Sequence, residues 1–355
     1  MFNILDRYIG RVVLWSVMLC DLTLIGLSAL FKFVDQLRDV GEGSYTTSVA
    51  LYYTLLNVPS DIVQFFPLAA LLGGLIGLGS LATSSELVVM QASGRSKLSI
   101  VGAVLKTLIP MTIVILLIGE YVAPAANHHG DDVRIQARSG GTVSLSAYGV
   151  WAKDGPSFVN IGAIDREGQL HNIRLYDFNQ QHRLKQIVDA RTGSYSGDHW
   201  QLSGITDTKF GGDKIEVVTR KQQNWYSQLT PKKLSVVTIN PSDMSIRALT
   251  STISYRDMNK QDASQYKLEF WRKILSPLTI IAMMLLASSF VFGPLRTMAM
   301  GTRILIGIIA GFIFYVIDRI FGPMTLIYGM PPLAGAIIPA AIFLGLAFYL
   351  LMRRQ

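Results

Sequence analysis

Four cations at the ends of long apolar segments are the residues whose type and position best predict chemistry in this chain of 355 residues: Lys32, Arg38, Arg272 and Arg319. Charged groups at membrane depth are costly and mark functional sites by default. Together they would form a basic ring that attracts phosphate, to which arginine offers paired hydrogen bonds. For Lys32 and Arg272 the alternative is snorkelling to the membrane surface. For Arg319 the alternative is an ion pair with Asp318 or Asp35.

Nucleotide, metal and hydrolase chemistry is not indicated. The sequence lacks G-x-x-x-x-G-K-[ST], so we expect no ATP hydrolysis by this chain alone. It also lacks the G-x-S-x-G elbow of hydrolases. Adjacent residues rarely converge on one ion, so we interpret the acidic and histidine group as a solvated loop: His128, His129, Asp131 and Asp132. The single cysteine, Cys20, excludes an intramolecular disulfide. We therefore expect no metal and no cofactor in this chain.

Transmembrane helices are the elements expected to position the four cations. Hydrophobic residues make up 50% of the chain and charged residues 16%, and the mean hydropathy is +0.37. Soluble domains carry about 25% charged residues, which excludes an ordinary cytosolic enzyme. About 20 helical residues cross the hydrocarbon core. Six nearly charge-free runs therefore predict spans at about 12–34, 58–82, 100–122, 268–293, 303–321 and 333–352.

The middle of the chain has a different composition. Residues 124–273 carry 20 of the 32 Lys and Arg and 15 of the 24 Asp and Glu. Apolar and polar residues alternate there, which predicts an all-β domain of sandwich, jelly-roll or barrel type over 124–245. The polar stretch 246–265 is interpreted as a linker in which Asp262 caps the next helix. The predicted fold class is a membrane α-helical bundle, with three transmembrane helices on either side of an inserted all-β domain.

The distribution of basic residues predicts the orientation. Short connections on one side hold Arg7, Arg11, Arg95, Lys97, Arg296, Arg303, Arg353 and Arg354. The positive-inside rule places this side and both termini in the cytoplasm, with the β-domain outside. The first apolar run is too long for a cleavable signal peptide, so we expect it to remain as an anchor. Residues 2–12 predict either a short interfacial helix or an extension of the first span.

A short helix between the second and third spans is the sharpest local prediction. Thr83-Ser-Ser-Glu86 fits a capping box, and Gly94 fits a C-terminal cap. The predicted helix is apolar on all sides apart from its first acid, and its docking residues are Glu86, Leu87, Val88, Val89, Met90 and Gln91. An interfacial helix needs only one apolar face, so docking into a groove of a cytoplasmic partner is favoured over lying on the membrane.

Small residues spaced four apart in the spans predict close helix packing. They are Ala69, Gly73, Gly77, Gly307 and Gly311. Such spacing lets helix backbones approach each other closely. Another helix of this chain and a second subunit are equally good partners.

Seven segments together resemble a known permease family. They are Leu5-Asp-Arg-Tyr-Ile-Gly10, Lys32-Phe-Val-Asp-Gln-Leu37, Phe66-Pro-Leu-Ala-Ala-Leu-Leu-Gly73, Ser85-Glu-Leu-Val-Val-Met-Gln-Ala-Ser-Gly94, Trp151-Ala-Lys-Asp154, Phe292-Gly-Pro-Leu-Arg296 and Phe321-Gly-Pro-Met-Thr-Leu-Ile-Tyr-Gly329. With the layout of three helices, a β-domain and three helices, they are similar to the permeases of the bacterial lipopolysaccharide transport (Lpt) exporter. The G-type permeases are more similar than the F-type. The resemblance covers essentially the full length and is strong in the spans.

The resemblance implies an inner-membrane ABC exporter. It would contain one F-type and one G-type permease and a cytoplasmic ATPase dimer that uses ATP and magnesium. Such an exporter extracts lipopolysaccharide from the outer leaflet and passes it to a periplasmic bridge protein. The β-domain would be a β-jellyroll, stacked with the bridge protein and a membrane-anchored jellyroll protein. No nucleic-acid partner is expected.

The same resemblance assigns residues within the chain. The 86–91 helix matches the family's coupling helix, which docks on the ATPase, and Lys32 matches a position that meets lipid phosphates. Arg38 falls where the family has basic residues, although Asp39 interrupts that run. ATP-driven motion of the coupling helix would close a cavity between the two permeases and expel the lipid.

Three other functions are weighed against this one. A secondary transporter or channel would need charged residues along several spans, whereas the apolar runs 62–81, 274–295 and 333–352 of the second, fourth and sixth spans carry none. A lipoprotein-releasing permease would have four spans with its outer domain after the first. A structural anchor for a β-domain would need neither six spans nor a docking helix. The export permease is therefore the favoured reading.

Overall fold

The computed structural model describes residues 4–139, 143–144, 150–154, 157–164, 168–179, 183–211, 214–227, 229, 240–292 and 298–352. Within these ranges the chain forms nine α-helices and seven β-strands. Six of the helices are long and apolar enough to cross a membrane. Three of the predicted inner-side cations lie outside the described residues: Arg296, Arg353 and Arg354.

The first apolar run forms one unbroken helix, α1, over Ile4–Gln36. Its residues Ile9, Val13 and Val17 recur every four positions and are buried. This stripe packs on the helix that follows, as expected for side chains on one helical face. The separate interfacial helix predicted at 2–12 is therefore wrong for residues 4–12, which extend the first span instead.

Helix α2 covers Thr47–Thr83, and the short helix α3 covers Glu86–Ala92. The capping box predicted at Thr83 is wrong, because α2 continues to this residue and its hydroxyl donates to the carbonyl of Gly79 at 2.9 Å. Ser85 makes the turn with φ of 62° and gives α3 no side-chain cap. The helix itself and its glycine end are as predicted: Gly94 has φ of 93°, and its N–H donates to the Gln91 carbonyl.

Helix α4, Lys97–Leu117, continues through a π turn at Ile118–Val122 into α5, Ala123–Ser139. The sequence predicted that the β-domain starts at 124 and that 128–132 form a loop, and both are wrong because this stretch is helical. Polar contacts with α2 hold α5 in place. Asn127 Nδ2 donates to Ser60 Oγ at 2.8 Å.

Seven antiparallel strands form one sheet in the middle of the chain. They are β1 Val143–Ser144, β2 Val150–Asp154, β3 Ser157–Ile164, β4 Leu170–Phe178, β5 Leu184–Ser196, β6 His199–Gly211 and β7 Lys214–Trp225. The strand order is β1-β3-β4-β5-β6-β7, with β2 also paired to β3. Trp200 is fully buried in the core of the sheet, and its Nε1 donates to the Leu229 carbonyl at 2.6 Å. The all-β prediction for the insert is confirmed in this coarse form.

The predicted linker contains a helix, α6, over Ile246–Met258. Ser245 caps its first turn by accepting the Ala248 N–H at 3.2 Å. Farther on, the Asp262 carboxylate accepts the Ser264 N–H at 2.9 Å, and hydrogen bonds from the Ser264 hydroxyl and from this N–H lower the pKa of Asp262. The expected capping by Asp262 is thus present. The stretch holds α6 and a short turn rather than extended chain.

Three long helices follow: α7 Ser264–Phe292, α8 Met300–Ile327 and α9 Pro332–Met352. The middle of α7 lies at the centre of the helical core, where Met283, Met284 and Ala287 are fully buried. Arg303 of α8 is also buried, and its Nη1 donates to the Gly79 carbonyl of α2 at 3.1 Å. This contact ties the two groups of helices together.

Candidate functional site

Lys32 and Asp61 form an ion pair between α1 and α2. Lys32 Nζ lies 2.6 Å from Asp61 Oδ1, and Ser28 Oγ donates to Asp61 Oδ2 at 3.1 Å. Ser28 and Lys32 are four residues apart, so both point to the same face of α1. Asp61 is buried, whereas the Lys32 side chain is 39% exposed. The partial exposure of the Lys32 side chain leaves it accessible to a second anion.

Arg38 lies in a single 3-10 turn after α1, over Leu37–Asp39. Its side chain is 82% exposed and lies 3.6 Å from the carboxylate of Asp35, a contact that water screens strongly. Lys32 and Arg38 therefore lie at the same end of α1 but differ in their exposure and in their ion-pair partners. One is anchored on a buried acid, and the other points into solvent.

Two further cations at this corner were not identified from the sequence. Arg134 and Arg138, one turn apart on α5, bind Asp39 at 2.8 and 3.0 Å, and Arg138 also binds Glu42 at 2.5 Å. Arg134 stacks over the Tyr53 ring at 5.3 Å. Both arginines were assigned to the β-domain, so the i, i+4 spacing that could have revealed them was not read as helical.

Arg272 is mostly buried and pairs with acids of this chain. Its Nη1 donates to Glu269 Oε1 at 2.9 Å, and its Nη2 donates to the Asp318 carbonyl at 2.5 Å. Asp318 therefore faces Arg272, although the sequence offered it as a partner for Arg319. Arg319 is exposed, and its guanidinium lies 5.5 Å from the centre of the Tyr315 ring.

A cavity of about 310 Å³ lies beside Arg272, and its lining includes residues of α2, α4, α7 and α8. Arg272, Arg319 and Lys273 line its polar end, together with four carboxylates: Glu120, Asp243, Glu269 and Asp318. Burial raises the pKa of Asp243, which lies in the turn before α6. The structure thus brings two of the four predicted cations to one cavity. It leaves Lys32 and Arg38 outside the lining, so the four do not form a closed ring within the described chain.

Helix α3 has two faces, which corrects the interpretation that it is open on all sides. Leu87 and Met90 are buried against the helical core. Val88 is 46% exposed and Val89 66%, and these two form the apolar outer face. Glu86 and Gln91 lie at its ends and are half-buried. Within the described chain, Val88, Val89 and the residues beside them form the face of α3 that no other element covers.

The small residues pack within this chain. A Cβ on Gly73 would overlap the backbone of Val17, and one on Gly77 would lie 3.1 Å from Val13 Cα. Added methyl groups on Gly307 and Gly311 would meet leucine side chains of α2 and no backbone atoms, with the ends of Leu75 and Leu68 nearest. Ala69 is fully buried. Of the two partners considered for this packing, another helix of the same chain is the one present.

The histidine and acidic residues that were considered for a metal site, and set aside, lie in α5. His129 in α5 contacts the edge of the Tyr52 ring at 6.1 Å, and Asp131 accepts from the Tyr53 hydroxyl at 3.4 Å. Across the described ranges, no three His, Cys, Asp or Glu side chains are grouped to hold a metal ion.

Comparison with known proteins matches residues 7–353 to the family described as lipopolysaccharide export system permease LptF/LptG. The chain belongs to the LptF/LptG family. The LptG permease of Escherichia coli strain K12 is 44% identical over 100% of this chain and 99% of its own length. LptG of Haemophilus influenzae is 42% identical over 100% of both chains. Escherichia coli LptF is 29% identical over only 46% of this chain and 45% of its own.

Within the LptF/LptG family, this chain aligns over more of its length with LptG than with LptF. Alignment to LptG runs through the spans, the sheet and α6, whereas alignment to LptF covers less than half of the chain. The resemblance to the G-type permeases is therefore confirmed at the level of sequence. Both the Lys32–Asp61 pair and α3 lie in the part of the chain that the LptF/LptG family covers.

Proposed function

We propose that this chain is the G-type permease subunit of an ATP-driven exporter of lipopolysaccharide. The subunit, paired with an F-type sibling, would extract the lipid from the outer leaflet of the bacterial inner membrane and pass it to a periplasmic bridge protein. The full-length match to relatives named lipopolysaccharide export permease LptG carries the proposal. The described chain supports it with six membrane-length helices.

The proposed topology has three transmembrane helices before and three after a periplasmic β-domain of jellyroll type. Both termini would lie in the cytoplasm. Arg7, Arg11, Arg95 and Lys97 support this orientation, because all four lie beside the end of the bundle that carries α3. In this orientation the outer end of α1 carries Lys32. Among the described strands, β7 has a neighbour on one side only, and such an edge is suited to stacking with the bridge protein and a membrane-anchored jellyroll protein.

Lys32 is proposed to bind a phosphate of the lipid. Its partly exposed side chain supports this role, because the ammonium is oriented by Asp61 while the side chain stays accessible. Arg38 and Arg319 are exposed and are proposed as secondary phosphate contacts. Arg272 forms ion pairs with Glu269 and Asp318, so we propose that it stabilises the cavity wall and does not bind the lipid.

The walls for the acyl chains are proposed to be outward faces of α1 and α8. Only 22% of the apolar stretch in α1 and 17% of that in α8 is buried within the chain, against 61% in α2. These two helices therefore offer apolar surface to the lipid and to the sibling permease. Exposed side chains on this surface are Trp15, Leu19, Leu22, Leu305 and Phe312.

A cytoplasmic ATPase dimer is the proposed energy source, with ATP and magnesium bound in the ATPase. The exposed Val88–Val89 face of α3 is the proposed contact with it. Closure of the ATPase dimer would move α3 and close the cavity between the permeases. A helix laid into a groove is a common way of joining two proteins.

Purification of the assembled complex tests the proposal. The chain would be co-expressed with a sibling permease and an ATPase and isolated through a tag on this chain only. We expect all three proteins and bound lipopolysaccharide in the preparation, identified by mass spectrometry of the extracted lipid. Isolation of the chain without an ATPase, or with phospholipid as its only lipid, would contradict the proposed function.

A further inference from the structure

An acid at the start of α1 is held between two cations from other elements. Asp6 is buried, with Oδ1 at 2.5 Å from Arg95 Nη1 and Oδ2 at 3.3 Å from Lys106 Nζ. Arg95 lies in the turn directly after α3, and Lys106 lies on α4. One carboxylate thus joins three elements on the side where α3 lies.

The other end of α3 also meets α1. Tyr8 lies beside Glu86, close enough for its phenol to interact with that carboxylate. Asp6 and Tyr8 belong to the same turn of α1, so both ends of the short helix contact the first two turns of α1. Helix α1 also packs closely on α4 here, because a Cβ on Gly10 would overlap the Thr107 side chain of α4.

The Asp6–Arg95 contact is expected to persist when α3 moves. Separating the buried Asp6 carboxylate from Arg95 would leave only Lys106, at 3.3 Å, to balance its charge in a medium of low dielectric constant, which is unfavourable. The Arg95 side chain is itself mostly buried, so water does not easily replace it. A displacement of α3 is therefore passed to α1, since breaking the pair is the costlier alternative.

Helix α1 is suited to carry that displacement to the other side of the membrane. It runs without interruption or proline from Ile4 to Gln36, and Asp6 and Lys32 lie near its two ends. At 1.5 Å per residue their separation along the axis is about 39 Å. The same helix therefore holds the ion pair at α3 and the cation proposed to bind phosphate.

We propose that Asp6 is a positioning residue that couples α3 to α1, so that motion of the docking helix shifts Lys32. Asp6 touches neither the lipid nor the ATPase in this account. The inference rests on the proposed docking of α3 on an ATPase. It adds that α1 is the element that transmits the motion, and that the Asp6–Arg95 pair is the joint.

The test uses the full complex of this chain, a sibling permease and the ATPase in vesicles that contain lipopolysaccharide. ATP hydrolysis and lipopolysaccharide release are measured together for Asp6→Asn, Asp6→Glu and the exposed neighbour variant Arg7→Gln. We expect Asp6→Asn to assemble and bind the ATPase but to release about tenfold less lipid per ATP hydrolysed, a size typical of coupling between distant sites. Asp6→Glu and Arg7→Gln should retain the normal ratio.

An unchanged ratio of lipid to ATP in assembled Asp6→Asn would overturn the inference, since Asp6 would then only stabilise the fold. Loss of the ATPase from that complex would also overturn it, because Asp6 would act on docking. If Asp6→Asn does not assemble, Arg95→Gln is used instead, because it leaves Asp6 paired with Lys106. Normal ATPase binding by Val89→Asp would instead contradict the docking of α3, which separates the two failures.

Discussion

Lys32 Nζ lies 2.6 Å from Asp61 Oδ1, which binds the cation near the C-terminal end of α1 to a buried acid of α2. The ion pair orients the Lys32 ammonium, and the Asp61 carboxylate balances its positive charge. An incoming phosphate would share the ammonium with Asp61 and need not replace it, since the lysine remains 39% exposed. Lys32 therefore has a structural contact and an open side, and the two are separable by mutation.

Removal of Lys32 alone is expected to affect both stability and transport. Lys32→Gln leaves the buried Asp61 with only the Ser28 hydroxyl. Loss of one partner from a fully buried pair costs about 3–5 kcal/mol, and partial exposure of Lys32 reduces this to about 1–3 kcal/mol. The double variant Lys32→Gln with Asp61→Asn should regain stability but not lipopolysaccharide release. Thermal denaturation and release from vesicles measure the two effects. Normal release by the double variant would show that Lys32 has no role in binding lipid.

The two faces of α3 are expected to respond differently to a charge. Val89→Asp places the carboxylate in solvent and should leave the thermal stability of the isolated chain unchanged while reducing ATPase binding at least about tenfold, as for a central interface residue. Leu87→Asp buries an unpaired charge and should prevent folding. Co-purification with the ATPase and the yield of folded chain distinguish them. Equal loss of folding in both variants would contradict the assignment of the outer face.

Arg272 and Arg319 are expected to differ although they line the same cavity. Arg272→Ala leaves Glu269 and Asp318 without their cation, so the thermal midpoint should fall by several degrees. Arg319→Ala removes an exposed side chain and should change stability little while lowering lipopolysaccharide affinity modestly. The reverse ranking, a stable Arg272→Ala with impaired lipid binding, would make Arg272 the phosphate contact.

Glycine packing is expected to be most sensitive at Gly73. Gly73→Ala forces α1 and α2 apart, because the added methyl overlaps backbone, at a cost of about 1–3 kcal/mol. Gly307→Ala meets the ends of the Leu75 and Leu72 side chains and no backbone, so it should cost less. Gly345 has open space around it, so Gly345→Ala is the matched control. Thermal midpoints of the three purified variants check the ranking, and equal stability of Gly73→Ala and Gly345→Ala would refute it.

The spans could be predicted from the sequence because long charge-free runs have one stable arrangement in a membrane. Helix α5 could not, since it is polar and its stability comes from packing on α2, as between Asn127 and Ser60. The π turn at Ile118–Val122 let the helix continue where the apolar pattern ended. Residue composition alone indicated neither the Asn127–Ser60 hydrogen bond nor the π turn.

The sequence identified the cations of the candidate site but not the acids that pair with them. Lys32 is visible as a cation at the end of an apolar run, but its partner is not, because Asp61 lies in another span just before the charge-free run begins. The pairing of Arg272 with Asp318 likewise joins α7 to α8. Long-range ion pairs depend on helix packing, which the local pattern does not record.

ATP-driven transfer of lipopolysaccharide by a reconstituted complex tests the central claim most directly. Vesicles would hold this chain, a sibling permease, the ATPase and labelled lipopolysaccharide, with a soluble bridge protein as acceptor. We predict that label reaches the acceptor only with ATP, that labelled phospholipid does not, and that Lys32→Gln with Asp61→Asn reduces the transfer. Transfer without ATP, equal transfer of phospholipid, or transfer from vesicles that lack this chain would contradict the account.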